Sequence, residues 1–460
     1  MVKSRRTLIF EGNIYSSIIK YSIPIMIASL VQILFNAVDL AVVGNFATST
    51  SVAAVGVTSP ATSLVVNSVS GLSGGVNALL ARAIGEGDER RSRKIVGTAI
   101  TVAFSAGVLI AVLGVFLTPT LLDVLNCKEE YIRDAATYMI IYVASAPAIL
   151  LYGFGAAIIR VSGDSTRPLY YVVASGILNI ILNFVLCLCL ENKVVAVAVA
   201  TLVSNLVSAV LVILHLVNIN GPCNLDLKHI SFSWRELGKI LRYGIPVAFS
   251  NALYSLSNLQ IQSEINNFGT EATAANAAAI QIEHIISCFT GAFSTASLVF
   301  IGQNLGANNN ERTKKSIFSS LALSAIISSF LGLLLYFTST PTLKIFLSDD
   351  LLAISFGKVR LKYILSSFGI AAVNGIMSSA VQAFGYPNLP MINSFVSVLG
   401  FRVVWMTWIY PSFEVTPDPV HNIGNVYSCY LFSWIMLTTV NIIFFLILYA
   451  RYKRGYLKKM

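Results

Sequence analysis

Long apolar runs separated by short polar ones recur from one end of the chain to the other, at a spacing that predicts twelve membrane-spanning helices. In the first half they cover about 14–44, 53–82, 94–118, 134–158, 167–190 and 194–218. In the second half they cover about 236–267, 273–301, 315–338, 354–384, 388–411 and 424–450. A helix rises roughly 1.5 Å per residue, so about 20 residues cross a hydrocarbon core of about 30 Å. The polar stretch Asn218–Trp234 is expected in the cytoplasm. It divides the chain into an N-terminal six-helix bundle (1–218), a linker (219–234) and a C-terminal six-helix bundle (235–460).

The two bundles read as copies of one another. Moving the chain by 222 positions lays Tyr21, Ile23 and Pro24 on Tyr243, Ile245 and Pro246. The same shift lays Leu34, Asn36, Asn45 and Phe46 on Leu256, Asn258, Asn267 and Phe268, and Gly163 and Pro168 on Gly385 and Pro390. One position less lays Gly85 and Lys94 on Gly306 and Lys315. Six spans per copy give both copies the same orientation, related by a pseudo-two-fold axis along the membrane normal with the transport path between them. The fold class expected is an all-α polytopic membrane protein of two pseudo-symmetric six-helix bundles.

Composition supports this reading. The 460 residues are 56% hydrophobic and only 11% charged, against about 25% charged in soluble domains. The net charge is +10, and its distribution sets the topology. Basic residues crowd the ends and loops that share a side with the N-terminus, such as Lys3, Arg5 and Arg6, Arg90 to Lys94, Lys239, Lys314 and Arg454. The opposite side holds Lys128, Arg133, Lys193, Lys344, Lys358, Arg360 and Lys362, together with acids such as Asp123, Asp349 and Glu414. By the positive-inside rule both termini are expected in the cytoplasm, in a plasma (inner) membrane. The first span is too long for a signal-peptide core and is expected to be retained. The six cysteines show no metal-ligand spacing and read as packing residues.

Three acids fall inside spans: Asp39, Glu264 and Glu283. An ionisable group at membrane depth is costly and marks a candidate site. In the first span Gln32, Asn36 and Asp39 stand at i, i+4 and i+7 on one helix face. Under the repeat Asn36 has a twin in Asn258, whereas Asp39 falls on Ile261, so the carboxylate belongs to one copy only. Its candidate partners are Asn179 and Asn183 on the fifth span, and Thr201, Ser204, Asn205 and Ser208 on the sixth. One carboxylate among amide and hydroxyl oxygens is hard-ligand chemistry suited to Na+. Desolvation disfavours a charged carboxylate, so a proton is the other candidate ion.

In the second copy Glu283 lies deep in the eighth span beside Gln281 and His284, and either attracts a cationic substrate, binds a proton or makes a structural hydrogen bond. Polar stripes on the seventh span (Asn251, Ser255, Asn258, Gln262) and the tenth (Asn374, Ser378, Gln382) suit a water-filled cleft. Aromatic and Met residues such as Phe35, Tyr152, Tyr254, Phe289 and Met377 suit bulky lipophilic cations. Arg402, inside the eleventh span, is expected to be structurally paired. No His/Cys cluster, Gly-x-Ser-x-Gly motif or phosphate loop leading into a lysine is present, which argues against an enzyme. No cofactor and no nucleic-acid partner are expected.

On these residues the chain resembles the MATE (multidrug and toxic compound extrusion) transporters over nearly its whole length. The carrying features are Ile-Pro24 with Asp39, Arg82-Ala-Ile-Gly85-Glu-Gly-Asp-Glu, Gly163-Asp-Ser-Thr-Arg-Pro168, Gly302-Gln-Asn-Leu-Gly-Ala307 and Gly385-Tyr-Pro-Asn-Leu-Pro390, in this order on twelve spans. The resemblance implies a V-shaped, monomeric antiporter that exports drugs and organic cations as Na+ or H+ enters, by alternating access. In one branch of the family the coupling site matches Asp39, Asn179, Asn183 and Thr201, except that Asn183 stands where that branch usually has a second Asp. A second branch uses a seventh-span Glu, and that position here is Ser255. The substrate cleft is expected to include Gln32, Asn36, Asn258, Gln281 and Glu283. The alternatives are a lipid-linked oligosaccharide flippase, which should need cationic residues in its cleft, and a metabolite exporter of the same superfamily.

Overall fold

A computed structural model describes residues 9–46, 49–124, 127, 129–228, 230–414 and 416–454. Lys3, Arg5, Arg6 and Lys128 of the charge pattern lie outside them. Among the described residues all regular structure is helical. The first copy consists of α1 (Ile14–Phe46), α2 (Ser49–Gly85), α3 (Glu89–Val124), α4 (Ile132–Ala144), α5 (Ala146–Val161), α6 (Thr166–Cys189) and α7 (Lys193–Asn218). The second consists of α8 (Trp234–Asn266), α9 (Thr270–Gly306), α10 (Asn310–Phe337), α11 (Ser339–Leu347), α12 (Leu351–Ser366), α13 (Phe368–Ala383), α14 (Asn388–Ser412) and α15 (Pro419–Lys453).

Eight of these helices are individually long and apolar enough to cross a bilayer, and the pairs α4–α5 and α12–α13 raise the number to ten. The remaining two, α2 and α8, have the length, at 37 and 33 residues, but carry more serine, asparagine and glutamine. Twelve spans result, as the pattern predicts. The short α11 was not expected from sequence.

Each bent pair turns at one serine. α4 and α5 meet at 42° around Ser145, and α12 and α13 at 43° around Ser367. These serines are 222 residues apart, so the bend belongs to the repeat. Ser145 Oγ donates to the Tyr142 carbonyl at 2.6 Å, and Ser367 Oγ donates to its counterpart, the Ile364 carbonyl, at 3.0 Å. A hydroxyl that bonds back into its own helix competes with the backbone ladder and bends it.

The turns repeat as well. α5 and α13 stop at Gly163 (φ 97°) and Gly385 (φ 98°). The next amide in each case reaches back five residues, Asp164 to Ile159 and Tyr386 to Val381, both at 3.2 Å. A left-handed residue closing such a bond terminates a helix, and glycine adopts it without strain.

By packing the chain divides into two units. One contains Ile23–Ala248, and the other contains Phe10–Ser22 together with Phe249–Met460. The first turns of α1 therefore pack with the C-terminal unit, where the Tyr21 ring meets that of Phe300 edge-on at 5.5 Å. The first turns of α8 pack with the N-terminal unit. There a side chain at Gly75 would stand 2.7 Å from the Gly244 nitrogen, so the two backbones touch. Pro24 and Pro246, the twin prolines of the repeat, sit within two residues of the points where each helix changes unit. Each removes an intrahelical hydrogen bond there.

Candidate functional site

In the N-terminal unit the α6–α7 hairpin sets the polar faces. At the start of α6, Asp164 Oδ1 accepts the backbone N–H groups of Thr166 and Arg167 at 3.1 and 3.2 Å. At its end Lys193 Nζ donates to the carbonyls of Cys187 and Leu190, both at 2.7 Å. Asn192 caps α7 by accepting from Val194 and Val195 at 3.0 and 3.1 Å. These contacts satisfy two of the otherwise orphaned groups at each end of α6 and at the start of α7.

Asp39 faces this hairpin. Asn183 Nδ2 donates to Asp39 Oδ1 at 2.5 Å and to Asn179 Oδ1 at 3.1 Å. With Asp39 ionised these two acceptors assign the amide's orientation, because the reverse would set oxygen against oxygen. Asn183 is fully buried, and its own Oδ1 has no hydrogen-bond partner among the described residues. A buried carbonyl without a donor is rare and calls for an explanation. Thr201 Oγ1 donates to the Val197 carbonyl at 2.9 Å and keeps its capacity to accept. Asp39, Asn179, Thr201 and Gln32 line a cavity of about 100 Å³ with Phe35 and Tyr152, while Asn183 is buried behind it.

Two features of this cavity escaped the sequence. Gly176 lets the Phe35 ring lie against α6, since a side chain there would stand 1.6 Å from that ring. Ser145, at the α4–α5 bend, receives Asn205 Nδ2 at 3.5 Å. Neither has a signal beyond a small residue in a transmembrane helix, where such residues favour close approach. The side chain of Asn36 lies outside the described residues. Among those described, no group of three His, Cys, Asp or Glu is placed to hold a metal ion. The oxygens around Asp39 instead form a one-carboxylate, amide and hydroxyl set, which fits a proton or a monovalent hard cation.

In the C-terminal unit the structure corrects an expectation. Arg360, counted from sequence among the outer-side charges at the start of the tenth span, is buried inside α12 and grips Glu283. Nε meets Glu283 Oε1 at 2.6 Å and Nη2 meets Oε2 at 2.8 Å. The third contact, Nη1 to Asn276 Oδ1, is 2.5 Å, and Tyr427 donates to the same oxygen at 3.2 Å. Glu283 is thus a neutralised acid, not a free one. Asn276 was legible as a lone amide in the alanine run from Ala272 to Ala279.

Arg402 forms a second group of the same kind. It is buried, on four residues of regular helix between wide π-type turns at Phe395–Gly400 and Trp405–Ile409. It donates to Ser433 Oγ at 3.1 Å, Ser257 Oγ at 3.3 Å and Asn258 Oδ1 at 3.1 Å. Tyr430 also donates to Asn258 Oδ1, at 3.2 Å. Asn258 and Glu283 both line a cavity of about 210 Å³. Gln281, two residues before Glu283, does not line it and is exposed on another face of α9. Two buried guanidinium groups, Arg360 and Arg402, thus stand at depth in this unit beside Glu283.

The MatE family profile matches residues 24–185 and 246–408, one match per copy of the repeat. The chain is 27% identical over 400 residues to the probable multidrug resistance protein YoeA of Bacillus subtilis, covering 85% of this chain and 86% of that one. It is 24% identical over 384 residues to an FAD transporter of Shewanella oneidensis, covering 82% and 83%. In structure it resembles a MOP superfamily transporter from Pyrococcus furiosus, with a TM-score of 0.86 at 22% identity over 99% of this chain and 98% of that one.

Proposed function

Because this chain belongs to the MatE family, and so is a multi-pass membrane transporter of small molecules and not an enzyme, we propose that it is a secondary active exporter of lipophilic and cationic compounds. Uptake of H+ or Na+ at Asp39 drives the export. The observation that carries the proposal is the Asp39–Asn183 contact beside the partnerless Asn183 Oδ1. A cation entering the cavity meets the Asp39 carboxylate and the oxygens of Asn179 and Thr201 in its wall, with the partnerless Asn183 Oδ1 buried behind them. Asp39 holds the charge, Asn183 holds Asp39 in place, and Phe35 and Tyr152 supply the aromatic surface on which an organic cation can rest. The cavity of about 100 Å³ takes the ion or the charged end of a substrate, so the two compete for Asp39, which is one way to couple their opposite movements.

In this reading both termini face the cytoplasm of a bacterial plasma membrane and the monomer is the working unit. The names of the relatives, multidrug resistance protein and FAD transporter, fit a small-molecule exporter. The test is ethidium transport by the purified protein in liposomes, with either a Na+ gradient or a pH gradient imposed. The gradient that drives ethidium movement identifies the coupling ion. Ethidium movement that follows neither gradient overturns the coupling role.

A further inference from the structure

The C-terminal unit holds two buried guanidinium groups and one carboxylate around a single tyrosine. The Arg402 guanidinium carbon lies 4.2 Å from the centre of the Tyr430 ring and that of Arg360 lies 5.3 Å from it. The two charges are therefore within about 10 Å of each other, the bound set by those two distances. Glu283 neutralises Arg360 through two contacts. Arg402 has only neutral partners: two serine hydroxyls, one amide oxygen and an aromatic face. Among the described residues no carboxylate pairs with it.

Hydrogen bonds to neutral oxygens satisfy geometry without supplying a counter-charge. A cation at membrane depth without one is expensive, and such groups mark the path of something of opposite sign. A purely structural arginine would be better served by an acid, which this unit provides for Arg360. The adjoining cavity of about 210 Å³ is lined by Asn258 and Tyr430, which touch Arg402, by Gln262, Asn276 and His284, and by Arg360 with the Glu283 carboxylate that it grips. Asn258 is exposed, and its Oδ1 is occupied by Arg402 and Tyr430. That leaves its Nδ2, a donor, to face an incoming group.

We propose that this cavity is a binding site for an oxyanion, a carboxylate or phosphate borne by a small amphiphilic molecule, with Arg402 as the counter-charge. Asn258 and Tyr430 transmit that charge to the cavity wall, and Glu283 keeps Arg360 from adding a second one. The volume suits the charged head of a ligand and not a whole drug-sized molecule, for which cavities of about 300–1,000 Å³ are usual. The site lies wholly within one unit, and it does not depend on the coupling role of Asp39.

The test is fluorescence titration of the purified full-length protein in neutral detergent. Three probes share one apolar body: 1-pyrenebutyrate, 1-pyrenebutyl phosphate and the uncharged 1-pyrenebutanol. The wild type should bind at least one oxyanion probe about tenfold more tightly than the alcohol, the scale of one charge-assisted contact in a desolvated site. The tighter of the two names the head group. Arg402→Gln should bring the preference to within about twofold. Glu283→Gln removes the carboxylate paired with Arg360 and should strengthen oxyanion binding about tenfold. It also carries the test if Arg402→Gln does not fold. Equal binding of acid and alcohol by the wild type, a preference that survives Arg402→Gln, or one unmoved by Glu283→Gln each overturns the proposal.

Discussion

Arg360 and Glu283 meet through two parallel contacts of 2.6 and 2.8 Å across α12 and α9. This pairing removes from the C-terminal unit the free acid that the sequence offered, and leaves Asp39 as the carboxylate on which coupling is proposed to depend.

A buried ion pair gives weak net stability, but breaking it from one side exposes the other charge to an apolar interior. Glu283→Ala should cost about 3–5 kcal/mol, as is usual for a buried charge left alone. Glu283→Ala with Arg360→Met should recover much of the loss. Thermal unfolding in detergent measures both. A double variant no more stable than the single one would show that the pair does more than neutralise itself.

The hairpin that presents Asn179 and Asn183 depends on Lys193. Lys193→Met leaves the carbonyls of Cys187 and Leu190 without their donor and should cost about 1–3 kcal/mol, the usual range for such groups near an apolar interior. Transport should fall while ethidium affinity changes little, because no side chain of the cavity is altered. Unchanged unfolding in Lys193→Met would mean that water replaces the amine.

Phe35 lies where any side chain at position 176 must go. Gly176→Ala should displace the ring, costing about 1–3 kcal/mol as overpacking does, and should weaken ethidium binding. Gly176→Ala combined with Phe35→Leu should restore stability but not affinity. Full affinity in Gly176→Ala would show that Phe35 does not shape the cavity.

The close approach of α2 and α8 inside the N-terminal unit sets a further limit. A methyl group at Gly75 would come within 2.8 Å of the Ile240 carbonyl and 2.7 Å of the Gly244 nitrogen. Backbone cannot yield as a side-chain tip can, so Gly75→Val should destabilise by more than the about 1–3 kcal/mol of ordinary overpacking. Yield and unfolding temperature of Gly75→Val report this, with Gly74→Val as the control, since its nearest neighbour is a Val247 methyl at 3.9 Å.

The spans and the repeat were legible because a bilayer demands long apolar helices and because the twin motifs fall at offsets of 222 and 221 residues. Asn179 and Asn183 were legible for a similar reason: a spacing of four residues puts two amides on one face, and Asn183 indeed meets Asp39. Arg360 was not. Lys358, Arg360 and Lys362 alternate with apolar residues at the outer start of the tenth span, where charges read as facing the interface. In the helix, Arg360 turns inward and is buried. The π-type turns around Arg402 and the bends at Ser145 and Ser367 depend on packing between helices and on single hydroxyls. Their traces, Pro147 after Ser145 and the two serines Ser366 and Ser367, are too common to be decisive.

Replacing one oxygen of Asp39 by an amide tests the central claim most directly. Wild type and Asp39→Asn are compared at equal membrane levels for ethidium efflux under an imposed Na+ or pH gradient. Asn is nearly isosteric with Asp and can still accept from Asn183, so the fold should persist while the charge that holds the ion is gone. The account predicts gradient-driven efflux in the wild type and its loss in Asp39→Asn. Gradient-driven efflux that survives in Asp39→Asn would contradict it.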